Sequence, residues 1–96
     1  MRNLFLVCYD ISDDKRWRKV FTTMRGFGDT LQYSVFICEL SPKERALLKN
    51  ALDGIIHHTE DRVVIANLGP AEGGSMDRIE FLGQRLTITG RQAVIV

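Results

Sequence analysis

A carboxylate at the end of an apolar run, with a cluster of cations close behind it, is the part of this sequence best suited to chemistry. Leu4-Phe5-Leu6-Val7-Cys8-Tyr9 runs without a break into Asp10. Bounded by Ile11-Ser12-Asp13-Asp14, the run reads as a strand apolar on both faces, hence buried on both. An acid delivered at its end carries a desolvation cost unless a cation or hydrogen-bond donors compensate. Asp10 is therefore read either as a cap for the following turn or as a ligand for a cation. Behind it, Lys15, Arg16, Arg18, Lys19 and Arg25 occur with no acid anywhere between residues 15 and 28. Exposed helices ordinarily mix signs, and a stretch of one sign suits phosphate groups as well as solvent.

The elements that must position these groups follow from patterning. Ser12-Asp13-Asp14 offers N-cap residues and favourable charge at a helix start. Trp17, Val20, Phe21 and Met24 then recur at helical spacing and give one apolar face, which Gly26 and Gly28 end. Arg18 and Arg25, seven apart, share one flank of that face, and Arg16 falls on the other. Residues 30–40 are β-rich, with Gln32 and Ser34 marking either a tight hairpin or a wet patch on a single strand. Ser41-Pro42-Lys43-Glu44 is a capping box with Pro at the first helical position. Leu47, Leu48, Ala51, Leu52, Ile55 and Ile56 form the stripe of a second helix, with His57 and His58 near its C-terminus. Residues 62–68 read as a strand, Gly73-Gly74 as a plain loop, and Ile79 to Gly83 as a further short strand. The apolar end at residues 93–96 needs a pairing partner, since an exposed apolar edge invites aggregation.

Ninety-six residues make one domain with a single modest core. At 45% hydrophobic and 26% charged the composition is that of a globular protein, and a net charge of +1 leaves any basic footprint to clustering. No apolar run approaches the roughly 20 residues of a membrane span. The N-terminal apolar run is followed by no small-residue cleavage site. Cys8 and Cys38 lie in strand-like runs, so they are expected to be buried reduced thiols of a cytoplasmic protein, and no Cys-x-x-Cys pair suggests zinc. Two helices cover only one face of a sheet. The second face of the 4–9 strand therefore calls for a second copy of the chain, related by a two-fold axis across which two Asp10 side chains could approach.

Tyr9-Asp10-Ile11-Ser12-Asp13-Asp14-Lys15-Arg16, with Gly28 four residues ahead of Gln32-Tyr33-Ser34-Val35-Phe36, resembles the small CRISPR-associated endoribonuclease family. That family supplies the smaller, non-integrase protein of the spacer-acquisition complex. The resemblance implies an α+β, ferredoxin-like βαββαβ fold with an extra C-terminal strand, as a homodimer packed through its sheets. Residues 84–96 would be a tail pairing across the dimer or with a partner. It implies a metal-binding, catalytic Asp10 with magnesium, and nucleic-acid contacts from the basic helix that carries Lys15, Arg16, Arg18, Lys19 and Arg25. Tyr9, Ser34 and Phe36 would support the site. The partners it implies are the CRISPR integrase and duplex DNA, with single-stranded RNA as a further substrate. Many members carry Arg where this chain has Trp17 and a basic residue where it has Thr30. Those departures weaken phosphate contact, and hydrolysis more than binding. The resulting expectation is a protein of CRISPR adaptation that bridges integrase dimers and holds duplex DNA, with metal-dependent nuclease activity that its role can spare. The alternative is a stand-alone, toxin-like endoribonuclease of similar fold.

Overall fold

The computed structural model describes residues 1–84, together with residues 86–89 and 92–95 as backbone. The chain folds as β1 (Asn3–Asp10), α1 (Asp14–Arg25), β2 (Asp29–Gln32), β3 (Val35–Leu40), α2 (Pro42–Asp53) and β4 (Arg62–Pro70). A 3-10 turn (Ser75–Arg78) and two short strands, β5 (Leu86–Thr89) and β6 (Gln92–Ile95), follow. The first four strands form one antiparallel sheet in the order β2-β3-β1-β4. This is the ferredoxin-like α+β arrangement that the resemblance implies. β1 is central, between β3 and β4.

Both helices pack on one face of the sheet. Phe5, Val7 and Tyr9 of β1 and Phe36, Cys38 and Leu40 of β3 meet Val20 and Met24 of α1 and Leu48 and Leu52 of α2 in one buried core. The capping signals are realised. The Asp13 side chain accepts from the Arg16 N–H, and Ser41 and Glu44 complete the reciprocal capping box ahead of α2. Gly28 lies so close to β3 that a Cβ there would come within 2.3 Å of the Ile37 carbonyl oxygen and 2.5 Å of Cys38 Sγ.

The other face carries Leu6 and Cys8 of β1, level with Val35 and Ile37 of β3 and with Val64 and Ala66 of β4. Neither helix covers it; Val64 is 50% exposed, and Cys8 is half-buried rather than buried.

Several expectations are resolved or change. Of the two readings left open for residues 30–40, the chain takes the hairpin, with Ser34 in a left-handed backbone (φ 61°) in the Tyr33-Ser34 turn. α2 stops at Asp53, capped by Gly54, so Ile55 and Ile56 pack against the core from beyond the helix and the histidines lie in the following loop. Leu47, at 52% exposure, has rotated out of the stripe. Residues 79–83 form no strand: Ile79 is extended, but the segment has no ladder partner among the described residues, and Leu82 is fully exposed. Gly73-Gly74 leads into the 3-10 turn, with Gly74 in the left-handed conformation, and is not a plain loop. The tail contributes two strands, not one, and they pair with each other. The apolar side chains of residues 93–96, expected to dock elsewhere, lie outside the described residues.

Candidate nucleic-acid interface

Four segments converge at one end of the sheet: the end of β1, the start of α1, the β2–β3 turn and the start of β4. The antiparallel register dictates this, since Cys8 faces Val35 on one side and Asp10 faces Arg62 on the other. The Tyr9 N–H donates to the Ser34 carbonyl at 3.0 Å, closing the turn onto β1.

Ser34 is the hinge of this end. A left-handed backbone costs a non-glycine residue about 1–2 kcal/mol, so the surroundings must hold it there. They do so twice: its carbonyl takes Tyr9, and its Oγ accepts from the Trp17 indole N–H at 2.8 Å. Trp17 in turn stacks on Tyr33 (4.9 Å between ring centres, 15° between planes) and on Phe21 (5.1 Å, 14°). Arg25 lies over Phe21 at 5.8 Å, within cation–π range. Phe36 supports the row from the core, edge-on to Phe21 and stacked on Tyr9. The Tyr9 hydroxyl is buried without a hydrogen-bond partner among the described residues. Burial pushes its phenol up to about 12, and the Ser34 hydroxyl opposes that shift without completing a hydrogen bond.

Arg16 has a structural task. Its Nε donates to Asp61 Oδ2 at 2.8 Å, and Nη2 reaches Asp61 Oδ1, Glu60 Oε1 and Ser12 Oγ at 3.3 Å. The Asp61 carboxylate, with no exposed side-chain surface, also accepts from the Ser12 N–H and hydroxyl and from the His57 N–H. The Arg16 hydrogen bond, with these further donors, holds Asp61 well below the usual carboxylate range. This cluster ties the loop after Asp10 to α1 and to the α2–β4 loop. Asp61 carried no local motif, and its partner is 45 residues away; an unpaired-looking Arg at the acid-free helix was the available hint.

The other helix cations behave differently. Lys15, Arg18, Lys19 and Arg25 are exposed and form no ion pair among the described residues. Asp10 is exposed at the tip of β1, on the sheet face that the helices leave open, opposite Arg62 and without an ion pair to it. No group of three or more His, Cys, Asp or Glu side chains able to hold a metal occurs among the described residues. Magnesium is held through one or two carboxylates plus substrate phosphates, so Asp10 of one copy would supply only part of such a set. The site residues thus divide: Tyr9, Asp10 and Ser34 share one end, Arg16 is bound into the fold there, and Arg18 and Arg25 extend along the flank of α1.

Comparison with known proteins agrees with this architecture. Residues 3–76 match the family model described as CRISPR associated protein Cas2. The CRISPR-associated endoribonuclease Cas2 of Geobacter sulfurreducens is 43% identical over 96 residues, covering all of both chains. That of Rhodospirillum rubrum is 41% identical over 92 residues, covering 96% of this chain and 89% of its own. Among solved structures, Streptococcus pyogenes Cas2 superposes with a TM-score of 0.74 at 32% identity, covering 83% of this chain and 99% of its own. A hypothetical protein of Thermus thermophilus shares the fold, with a TM-score of 0.69 at 24% identity over 100% of this chain and 96% of its own. A family model spanning most of the chain, relatives matched over most or all of their length and a common fold carry one conclusion: the chain belongs to the CRISPR-associated Cas2 family.

Proposed function

We propose that the chain acts in CRISPR adaptation as a homodimer that holds duplex DNA and bridges integrase dimers, and that any hydrolysis it performs is secondary to that role. The observation that carries the reading is the surface of α1, where Lys15, Arg18, Lys19 and Arg25 stand exposed and without ion pairs among the described residues. A row of unpaired cations on a rigid helix suits a regular line of phosphates and carries no base preference. The name that the relatives share supports a ligand with a phosphodiester backbone.

Two features support the homodimer. The open sheet face presents Leu6, Cys8, Val64 and Ala66 side by side. The extended segment that begins at Ile79 has no ladder partner among the described residues and exposes Leu82 completely. A second copy would bury the first and offer a strand edge to the second. Magnesium enters the reading between two Asp10 side chains brought together by that dimer, where two carboxylates and a substrate phosphate would suffice.

Asp10→Asn separates holding from hydrolysis. The variant should lose any magnesium-dependent nuclease activity, yet still dimerise, bind duplex DNA, co-purify with the integrase and support spacer acquisition. Loss of acquisition with dimer and DNA binding intact would overturn the holding role and make hydrolysis essential.

A further inference from the structure

The β2–β3 turn presents an aromatic surface that phosphate holding does not use. Tyr33 is 79% exposed, yet its ring is not loose: it stacks on Trp17 at 4.9 Å and 15°. The turn that carries it is fixed to α1 by the Trp17–Ser34 hydrogen bond and to β1 by the Tyr9–Ser34 hydrogen bond. An exposed tyrosine ordinarily loses side-chain entropy on binding a flat ligand; this one has been ordered already by the fold. Tyr33, Trp17 and Phe21 make a row of near-parallel rings, and Arg25 closes its far end over Phe21. Residues 17, 21 and 25 are each one helical turn apart. By the 100° step of a helix, Arg18 and Arg25 lie beside Phe21, on the flank of the apolar face nearest it, and both are exposed.

We propose that the outer face of Tyr33 is a stacking site for an unpaired nucleobase, with Arg18 and Arg25 on the adjoining phosphates, so that single-stranded nucleic acid is bound here as well as duplex. The proposal rests on the phosphate-holding reading of α1 and adds a base contact to it. Along its length a duplex gives the ring no base face to cover, whereas a single strand or a frayed end gives one at each unstacked base. Stacking on an aromatic ring is tolerant of base identity, so the site would recognise strandedness rather than sequence. Asp14, at the start of the same flank, would keep phosphates away from the helix start and leave that end to the base.

The test uses oligouridylate, whose bases stack weakly on one another, and an abasic phosphodiester of the same length. Trp17 is the chain's single tryptophan and touches Tyr33, so its fluorescence reports on the site directly. Oligouridylate should change that emission and bind more tightly than the abasic strand. Tyr33→Ala should weaken oligouridylate by about 5- to 150-fold and leave abasic binding unchanged, while Tyr33→Phe should retain the affinity. Equal binding of both strands by the native chain, or no loss in Tyr33→Ala, would overturn the proposal. A change of oligomeric mass in Tyr33→Ala without a change in affinity would overturn it as well, by making the ring a contact between copies. Failure of the underlying reading looks different: the abasic strand would bind without salt dependence or not at all, whatever Tyr33 does.

Discussion

Arg16 and Arg18 are near neighbours in sequence and carry the same charge, yet they should respond oppositely to removal. On duplex DNA each phosphate-contacting cation adds about 0.9 to the slope of log affinity against log salt. With Arg16 committed to Asp61 and Glu60, four cations of α1 have no ion pair among the described residues: Lys15, Arg18, Lys19 and Arg25. They set an upper limit of about 3.6 on the slope per chain, which is a fall of roughly 150-fold in affinity between about 50 and 200 mM salt. Arg18→Ala with Arg25→Ala should reduce that to about 1.8, a fall of only about 12-fold over the same range. Arg16→Ala should leave the slope nearly unchanged and instead lower thermal stability, because it strips the main partner from a carboxylate with no exposed surface. The assay is a titration of a random-sequence duplex at several salt concentrations, followed by anisotropy, beside a thermal melt of each variant. A slope flattened as much by Arg16→Ala as by Arg18→Ala would refute the reasoning, since it would mean that phosphate displaces Asp61. An unchanged slope in the double variant would move the DNA off α1 altogether.

Two further outcomes follow from the packing. Gly28→Ala should destabilise the fold by about 1–3 kcal/mol or more, because the added Cβ meets the Ile37 carbonyl of β3 at 2.3 Å and strand backbone cannot yield as a flexible side chain can; urea denaturation checks it, and a native midpoint would refute the close contact. Asp61 is more acidic folded than unfolded, so its contribution is present above its unfolded value of about 3.9 and is lost as pH falls below that towards the folded value. Stability measured across the acid range should therefore drop below about pH 4, and Asp61→Asn should lose stability at neutral pH while flattening that drop.

Local signals in the sequence were sufficient wherever the physics is local. The capping box at Ser41 and Glu44, the Asp13 cap and the apolar face of α1 depend on residues within a few positions of one another, and all three took the expected form. The double-faced apolar run of β1 announced a strand whose second face two helices cannot cover, and the family motif around Tyr9-Asp10 and Gln32 to Phe36 carried the topology with it. Ambiguity arose where the outcome hangs on a distant partner. Whether Ser34 would turn the chain depended on Trp17 and Tyr9 being there to hold a left-handed backbone. Whether residues 79–83 would pair depended on a strand edge supplied from a distance, and among the described residues they pair with none. The cations of α1 looked alike along the chain; only the approach of Asp61, delivered by the α2–β4 loop, singled out Arg16 and left its neighbours exposed. Tyr33 looked like one more alternating strand residue, and its placement on Trp17 came from the turn. Charge and periodicity are properties of a segment and can be read from it. Which charge is neutralised and which ring is exposed are properties of the contacts between segments, and those existed only once the sheet had set its register.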